Sequence, residues 1–341
     1  MKFFFLFLAV TSISLGLTSC LRRYALARRL IDVPNARSSH SEPTPRGGGV
    51  AIVLSYLLAL PILGFWGAIA VDVMWALLGT GACVAVLGFL DDHGHIPVRW
   101  RLIGHFTGAI WALFWLGGLP PLTLFGFSLD LSWLGHLLAV VYLVWLLNLY
   151  NFMDGIDGLA SIEAICVSLG GGLLYVLSGE ARSAEVFLPL VLAAAVLGFL
   201  VWNFPPARIF MGDAGSGFLG ITLGILSIQA AWVSSQLLWA WLILLGVFVV
   251  DATFTLFRRL LRGDKVYEAH RSHAYQYASR QYAGHLPVTM TVLLINLFWL
   301  LPMALWVGLE GIDGALGLVI AYTPLITLAV KYHAGERESA V

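Results

Sequence analysis

The sequence predicts an all-α protein, a polytopic transmembrane helical bundle of about eleven spans with its amino terminus outside and its site built from cytoplasmic loops. Composition is the first observation behind this. Of 341 residues, 60% are hydrophobic and 11% charged, whereas roughly a quarter of a soluble globular chain is charged. The second is the spacing of apolar stretches. A hydrocarbon core of about 30 Å needs roughly 20 apolar helical residues to cross it. Such stretches run approximately over 3–21, 47–66, 73–90, 102–119, 132–150, 158–178, 186–203, 216–234, 237–257, 288–308 and 314–331. No internal repeat is evident, and residues 1–341 read as a single integral membrane domain.

The third observation is where the positive charges fall, because Lys and Arg collect in cytoplasmic loops. With the amino terminus outside, the cytoplasmic segments 22–46, 91–101, 204–215, 258–287 and the tail hold seventeen of the nineteen basic residues, leaving only Lys2 and Arg182 outside. The opposite orientation would translocate all seventeen. Lys2, an apolar run and Leu17-Thr18-Ser19-Cys20 also resemble a secretory or lipoprotein signal. Cleavage there would carry Arg22, Arg23, Arg28 and Arg29 to the wrong side, so a retained first helix is expected. Cys20, Cys83 and Cys166 lie in apolar stretches with no paired spacing, which suggests neither a disulfide framework nor a cysteine metal site. Membrane lipid is the expected surrounding and nucleic acid is not an expected partner; oligomeric state is not legible.

Polar residues at a membrane edge are costly, so their distribution is a functional clue. Each cytoplasmic loop carries a dense polar string: Pro34-Asn35-Ala36-Arg37-Ser38-Ser39-His40 running on to Pro45-Arg46-Gly47-Gly48-Gly49; Asp91-Asp92-His93-Gly94-His95; residues 148–157; Met211-Gly212-Asp213-Ala214-Gly215-Ser216-Gly217; and residues 268–276. The outer loops carry nothing comparable, which points to one site assembled at one interface.

Asp91 and Asp92 follow an apolar span directly. Two adjacent carboxylates at a helix end repel each other and face the negative end of the helix dipole unless a cation or proton offsets them. His93 and His95 read as ordinary loop polarity. Asn148, Asn151, Asp154 and Asp157 recur every three residues, so the two amides share a helix face and the two acids extend that line into a turn. Oxygen ligands of this kind suit magnesium, which takes one or two protein oxygens plus phosphate; capping of the next helix would explain one aspartate. Gly212 to Gly217 opens a span, so its backbone N–H groups could face a phosphate, with Asp213 beside it favouring a magnesium bridge. Arg258, Arg259 and Arg262 read as anchors against anionic lipid. His270, Arg271 and His273 are better placed to contact a phosphate or sugar. Asp251, inside the ninth span, is expected to pair with one of these cations or to face the site.

Taken together, the strings 34–37 through 43–49, Gly88-Phe89-Leu90-Asp91-Asp92, 148–160, Phe210-Met211-Gly212-Asp213-Ala214-Gly215-Ser216 and the late histidine loop resemble those of the polyprenyl-phosphate N-acetylhexosamine-1-phosphate transferases. The likeness spans nearly the whole chain. It implies transfer of a sugar 1-phosphate from a UDP-N-acetylhexosamine to undecaprenyl phosphate, releasing UMP, at the cytoplasmic face of a bacterial inner membrane. It implies magnesium, with manganese as the substitute, held by Asp213 and by Asn151 or Asp154. Asp91 and Asp92 match the catalytic pair that binds, orients or deprotonates the lipid phosphate. His270, Arg271 and His273 match the nucleotide-sugar loop, and Arg46, Asn148, Asp157, Gly212 and Ser216 complete the substrate contacts. The histidine loop, His270-Arg271-Ser272-His273-Ala274-Tyr275-Gln276, is less dense in histidine than in several relatives. That resembles the O-antigen-initiating branch, which uses 6-deoxy sugars such as FucNAc or QuiNAc and sometimes GlcNAc, more than the muramyl-pentapeptide branch. A secondary transporter is the rival class; it would place polar groups at the bilayer midplane in repeated halves.

Overall fold

The computed structural model describes residues 1–34, 39, 42–94, 96–179, 186–265 and 270–337. Much of the 34–40 string lies outside the described residues, as do His95, Arg182 and Glu268. The helices are α1 (Lys2–Arg28), α2 (Val50–Phe65), α3 (Val71–Gly94), α4 (Val98–Leu116), α5 (Ser132–Met153), α6 (Leu159–Leu177), α7 (Phe187–Asn203), α8 (Asp213–Val233), α9 (Ser235–Leu244), α10 (Gly246–Leu261), α11 (Ala274–Gln281), α12 (His285–Ile295), α13 (Leu301–Gly308) and α14 (Gly314–Lys331). A π-helical turn, Asn296–Leu300, joins α12 to α13. Two short antiparallel pairs complete the chain: β1 (Ile31–Asp32) with β2 (Thr44–Pro45), and β3 (Leu122–Leu124) with β4 (Phe127–Leu129).

Every apolar stretch read from the sequence is helical, and this is a multi-pass membrane protein. Among the described residues seven helices are long and apolar enough to cross a bilayer, eight if α9 and α10 count as one span. The stretches at 47–66 and 186–203 form helices of 16 and 17 residues. The straight ninth span expected over 237–257 is instead bent by 71° between α9 and α10. Gly246 opens α10 against Leu325 and Tyr322, where an added Cβ would come within 3.1 Å of either side chain. Just past the bend, α10 thus packs closely on a helix far along the chain.

The bundle is organised around α8, nearly all of whose residues from Ala214 to Ala231 are buried. It packs mainly on α3 and α5. α1 packs on α7 and α2; the Thr11 and Ser14 hydroxyls donate to the Ala194 and Ala195 carbonyls at 3.0 and 2.6 Å. Small residues let helices approach closely where lipid supplies no hydrophobic drive between them. At the amino end of α8 this approach is extreme: a Cβ on Gly88 would lie 2.5 Å from Ala214 Cα, and one on Gly49 2.5 Å from Gly215 Cα. Glycine is therefore required where α2, α3 and α8 meet. The same junction is sewn by backbone bonds, Phe210 N–H to Pro45 O at 2.8 Å, Gly48 N–H to Phe210 O at 2.9 Å and Gly49 N–H to Met211 O at 2.8 Å.

A Gly88→Val substitution should therefore lower stability by about 1–3 kcal/mol through overpacking. Gly16→Val, where a Cβ meets nothing within 4 Å, should leave the detergent unfolding midpoint nearly unchanged. Equal midpoints for the two variants would contradict this account of the junction.

Candidate active site

Asp91 and Asp92 lie in the last turn of α3 and are both buried. The two carboxylates point to different partners. Asp91 Oδ1 accepts the Ile96 N–H at 2.6 Å and Oδ2 accepts from Arg101 Nη1 at 2.5 Å, which fixes the turn between α3 and α4. Asp92 turns to the amino end of α8, where its oxygens accept the N–H groups of Asp213 at 3.3 Å and Ala214 at 3.5 Å. Arg46 closes over Asp92, its Nη2 donating to the Asp92 carbonyl at 2.6 Å and lying 3.4 Å from Oδ1. The offsetting cations that two acids at a helix end require are thus two arginines.

The Asp92 contact corrects one expectation. The N–H groups that open α8, which could have faced a phosphate, lie instead against a side chain of the same protein, the Asp92 carboxylate. Gly212 permits it, with φ 78° and no side chain: a Cβ there would fall 2.7 Å from Asp92 Oδ2. Ser216 is fully buried, and its hydroxyl donates to the Gly212 carbonyl at 3.2 Å.

Arg101 Nη1 also lies 3.6 Å from Asp213 Oδ2, so one guanidinium bridges Asp91 and Asp213. Asn151, Asp91, Arg101, His105 and Asp213 line one small cleft, whose apolar wall is formed by Val84, Leu87 and Leu147. Asp154 caps α5 beside it. Burial, reinforced by repulsion from Asp213, Asp92 and Asp157, holds the Asp154 carboxyl well above the usual carboxylate range. Four acids, Asp91, Asp92, Asp154 and Asp213, therefore face two arginines. The donors here are oxygens, the chemistry a hard divalent cation prefers. No three His, Cys, Asp or Glu side chains among the described residues form a complete cage; Asp213, Asp154 and Asn151 are the oxygen donors available to share such an ion with a phosphate.

The other expected residues divide into two groups. Asp157 and Asn148 are engaged within the protein. Asp157 accepts the Ala207 N–H at 2.9 Å and pairs with His285 at 3.1 Å, while Thr289 donates to its carbonyl at 2.8 Å. Asn148 donates to the Val144 carbonyl of its own helix at 2.7 Å. The histidine loop, by contrast, is held against the end of α5. His270 and His273 stack with ring centroids 4.8 Å apart, Phe152 lies 6.3 Å from the His273 ring, and Tyr275 O–H donates to the Phe152 carbonyl at 2.9 Å. Asp251 anchors this loop as the sequence suggested: its Oδ1 lies 3.3 Å from His273 Nδ1, and the Ala274 and Tyr275 N–H groups donate to its carboxylate at 3.0 Å. Arg271 is half-buried in the same loop, its carbonyl accepting from Arg280 at 3.3 Å.

Arg101, His105 and His285 were not singled out from the sequence. Arg101 carried a readable signal, because a cation in the first turn of a helix opposes the dipole and so asks for a compensating acid. It had been absorbed in the count of basic loop residues. His285 stands 128 positions from Asp157, and no local pattern marks it.

The bundle thus collects carboxylates, guanidinium groups and histidines at one end, a set of groups suited to handling phosphate. The profile of glycosyl transferase family 4 matches residues 74–231. A probable undecaprenyl-phosphate N-acetylglucosaminyl 1-phosphate transferase of Bacillus subtilis is 32% identical over 296 residues, covering 82% of this chain and 77% of that protein. Decaprenyl-phosphate N-acetylglucosaminephosphotransferase of Mycobacterium leprae is 31% identical, with 92% and 85% covered. A phospho-N-acetylmuramoyl-pentapeptide-transferase of Moorella thermoacetica is 33% identical, with 54% and 61% covered. The chain belongs to glycosyl transferase family 4 and is a phosphotransferase of its polyprenyl-phosphate hexosamine-1-phosphate group. The transporter reading is thereby set aside.

Burial, aided by His273 and Arg259, pushes the His270 imidazole down from 6.5 to about 3. The folded state then binds fewer protons than the unfolded chain between those values, so this residue's contribution to stability falls as pH drops from about 6.5 towards 3. His270→Gln should lose stability less steeply than wild type over that window, read as unfolding midpoint against pH. Parallel curves would refute it.

Proposed function

We propose that the protein transfers an N-acetylhexosamine 1-phosphate from a UDP-sugar to undecaprenyl phosphate, giving the lipid diphospho-sugar and UMP, at the cytoplasmic face of a bacterial inner membrane. The observation that carries this is the gathering of Asp91, Asp92, Asn151 and Asp213 with Arg46 and Arg101, beside a histidine loop. Relatives named for polyprenyl-phosphate substrates support it. The orientation we infer, with the amino terminus outside and eleven crossings, rests on seventeen basic residues falling on one side.

Phosphoryl transfer needs in-line positioning and relief of spread negative charge more than covalent help. An oxygen of the lipid phosphate attacks the phosphorus that bears the sugar, and UMP leaves. The acceptor's second pKa is near 6, so at neutral pH it is already mostly dianionic and requires no strong base. Asp91 and Asp92, each tied to an arginine and to backbone N–H groups, are suited to orient the acceptor through Arg101 and Arg46. A covalent phospho-aspartate relay is the alternative path. Magnesium, or manganese in its place, held by Asp213 with Asn151 or Asp154, would supply charge neutralisation at the diphosphate. His270, Arg271 and His273 meet the nucleotide sugar. The loop sequence favours a 6-deoxy sugar, FucNAc or QuiNAc, in an O-antigen pathway; GlcNAc is the sugar in the names of two relatives.

The test is UMP release by purified protein with undecaprenyl phosphate, magnesium and a panel of UDP-GlcNAc, UDP-FucNAc, UDP-QuiNAc and UDP-MurNAc-pentapeptide. The expected result is acceptor-dependent release with one donor, abolished by EDTA and reduced at least about 100-fold in Asp213→Asn. Undiminished release with EDTA would remove the metal from the reading, and no release from any donor by folded protein would remove the reaction.

A further inference from the structure

The segment that follows α14, residues 332–337, folds back onto the histidine loop. Ala334 is fully buried and packs with Ala329 of α14 and Ala274 of α11. One residue on, the Gly335 N–H donates to the Ser272 carbonyl at 2.7 Å, in the middle of the His270–His273 loop. Ser272 is itself tied to the first histidine of that loop, its hydroxyl lying 3.0 Å from His270 Nδ1. Gly335 takes a left-handed backbone, φ 77°, and an added Cβ would meet the Thr255 carbonyl of α10 at 2.9 Å. Glycine is what allows the chain this approach in that conformation.

Two arginines hold the segment there. Arg258, in the last turn of α10, donates to the Ala334 carbonyl at 3.2 Å and to Glu336 Oε1 at 2.8 Å. Arg262 donates to the Gly335 carbonyl at 2.7 Å and also to Asp264, which accepts in turn from Arg337 at 2.9 Å. Both arginines read from the sequence as lipid anchors; in the structure their donors are directed at this segment. The histidine loop is thus gripped from two sides. Asp251 holds His273 and the amino end of α11, and Gly335 holds Ser272.

We propose that residues 332–337 are a positioning element for nucleotide-sugar binding, with Gly335 fixing Ser272 and thereby the arrangement of His270, Arg271 and His273. The inference rests on the reading that this loop meets the donor. A loop free to leave its binding arrangement binds with an affinity reduced by the fraction of time it spends there. The tether raises that fraction for the donor and not for the lipid phosphate, whose expected partners Arg46 and Arg101 stand beside β2 and in α4.

The experiment compares wild type with Gly335→Pro, which removes the N–H and excludes a positive φ, with Arg262→Ala and Arg262→Lys, and with a chain stopped after Lys331. KM for donor and for lipid phosphate are measured separately, alongside unfolding midpoints in detergent and amide hydrogen exchange over 270–273. Gly335→Pro and the stopped chain should raise the donor KM about tenfold while lipid KM and kcat stay within about threefold. Arg262→Ala should give a smaller rise, and Arg262→Lys, which keeps a donor for the Gly335 carbonyl, should recover part of it. Exchange at 270–273 should quicken in the same order, with α3 and α8 unchanged. Unchanged donor KM in folded Gly335→Pro and stopped chain, or a parallel rise for both substrates, would overturn the proposal. Unchanged exchange at 270–273 overturns it even if the wild type transfers no sugar, while faster exchange together with a wild type that binds no UDP-sugar overturns only the assignment of this loop to the donor.

Discussion

Asp92 stands where the amino terminus of α8, the guanidinium of Arg46 and the gap left by Gly212 converge on one negative charge. The carboxylate brings together three segments that are distant in the chain, and the rest of the acidic end is arranged around it. Because α8 ends on Asp92, Asp213 is presented at the start of that helix rather than in a free loop. Arg46 bonds the Asp92 carbonyl as well as approaching its side chain, and the flanking 45–49 segment is held against 210–211 by backbone hydrogen bonds. The close glycine contacts of Gly88 and Gly49 serve the same end, since α3 and α2 must approach α8 to within backbone distance for a short side chain to reach it.

Charge balance gives this end its chemical character. Arg101 divides its attraction between Asp91 and Asp213, and Arg46 belongs to Asp92, so among the described residues Asp154 has no cation of its own and is pressed upon by its neighbours. Among the described residues the acids of this end outnumber the cations beside them. Under the function proposed above, this is where a hard cation shared with phosphate oxygens would fit. Asp157 shows the opposite outcome: paired with His285 and capped by backbone, it holds the 155–158 turn in place and stands apart from the exchangeable charges.

The sequence was most informative where local rules apply. Apolar length located the long apolar helices but not the polar eight-residue α11, and the asymmetry of the polar strings pointed to one site where α3, α5 and α8 come together. Asp251 was legible because a lone acid in a span demands a partner, and His273 answers it. What escaped was decided by contacts between distant segments. The bend before Gly246 lies where α10 packs on Leu325 and Tyr322, contacts that no periodicity within 237–257 can encode. The occupant of the α8 amino terminus could not be told from a phosphate, because an N–H group accepts either anion and only the fold brings Asp92 within reach. Arg101 was hidden by its own category, one basic loop residue among many.

The near-complete enclosure of α8 bears on how the protein assembles. A helix with so little lipid face gains little from the bilayer that it would not gain from any apolar surrounding, and its glycines leave little side-chain area with which to hold a partner in lipid alone. Its place is therefore defined only once α3 and α5 stand on either side. Chain order runs the same way, since both neighbours emerge before it. Asp213, at the amino end of α8, therefore meets Asp92 and Arg101 only where α8 docks against α3.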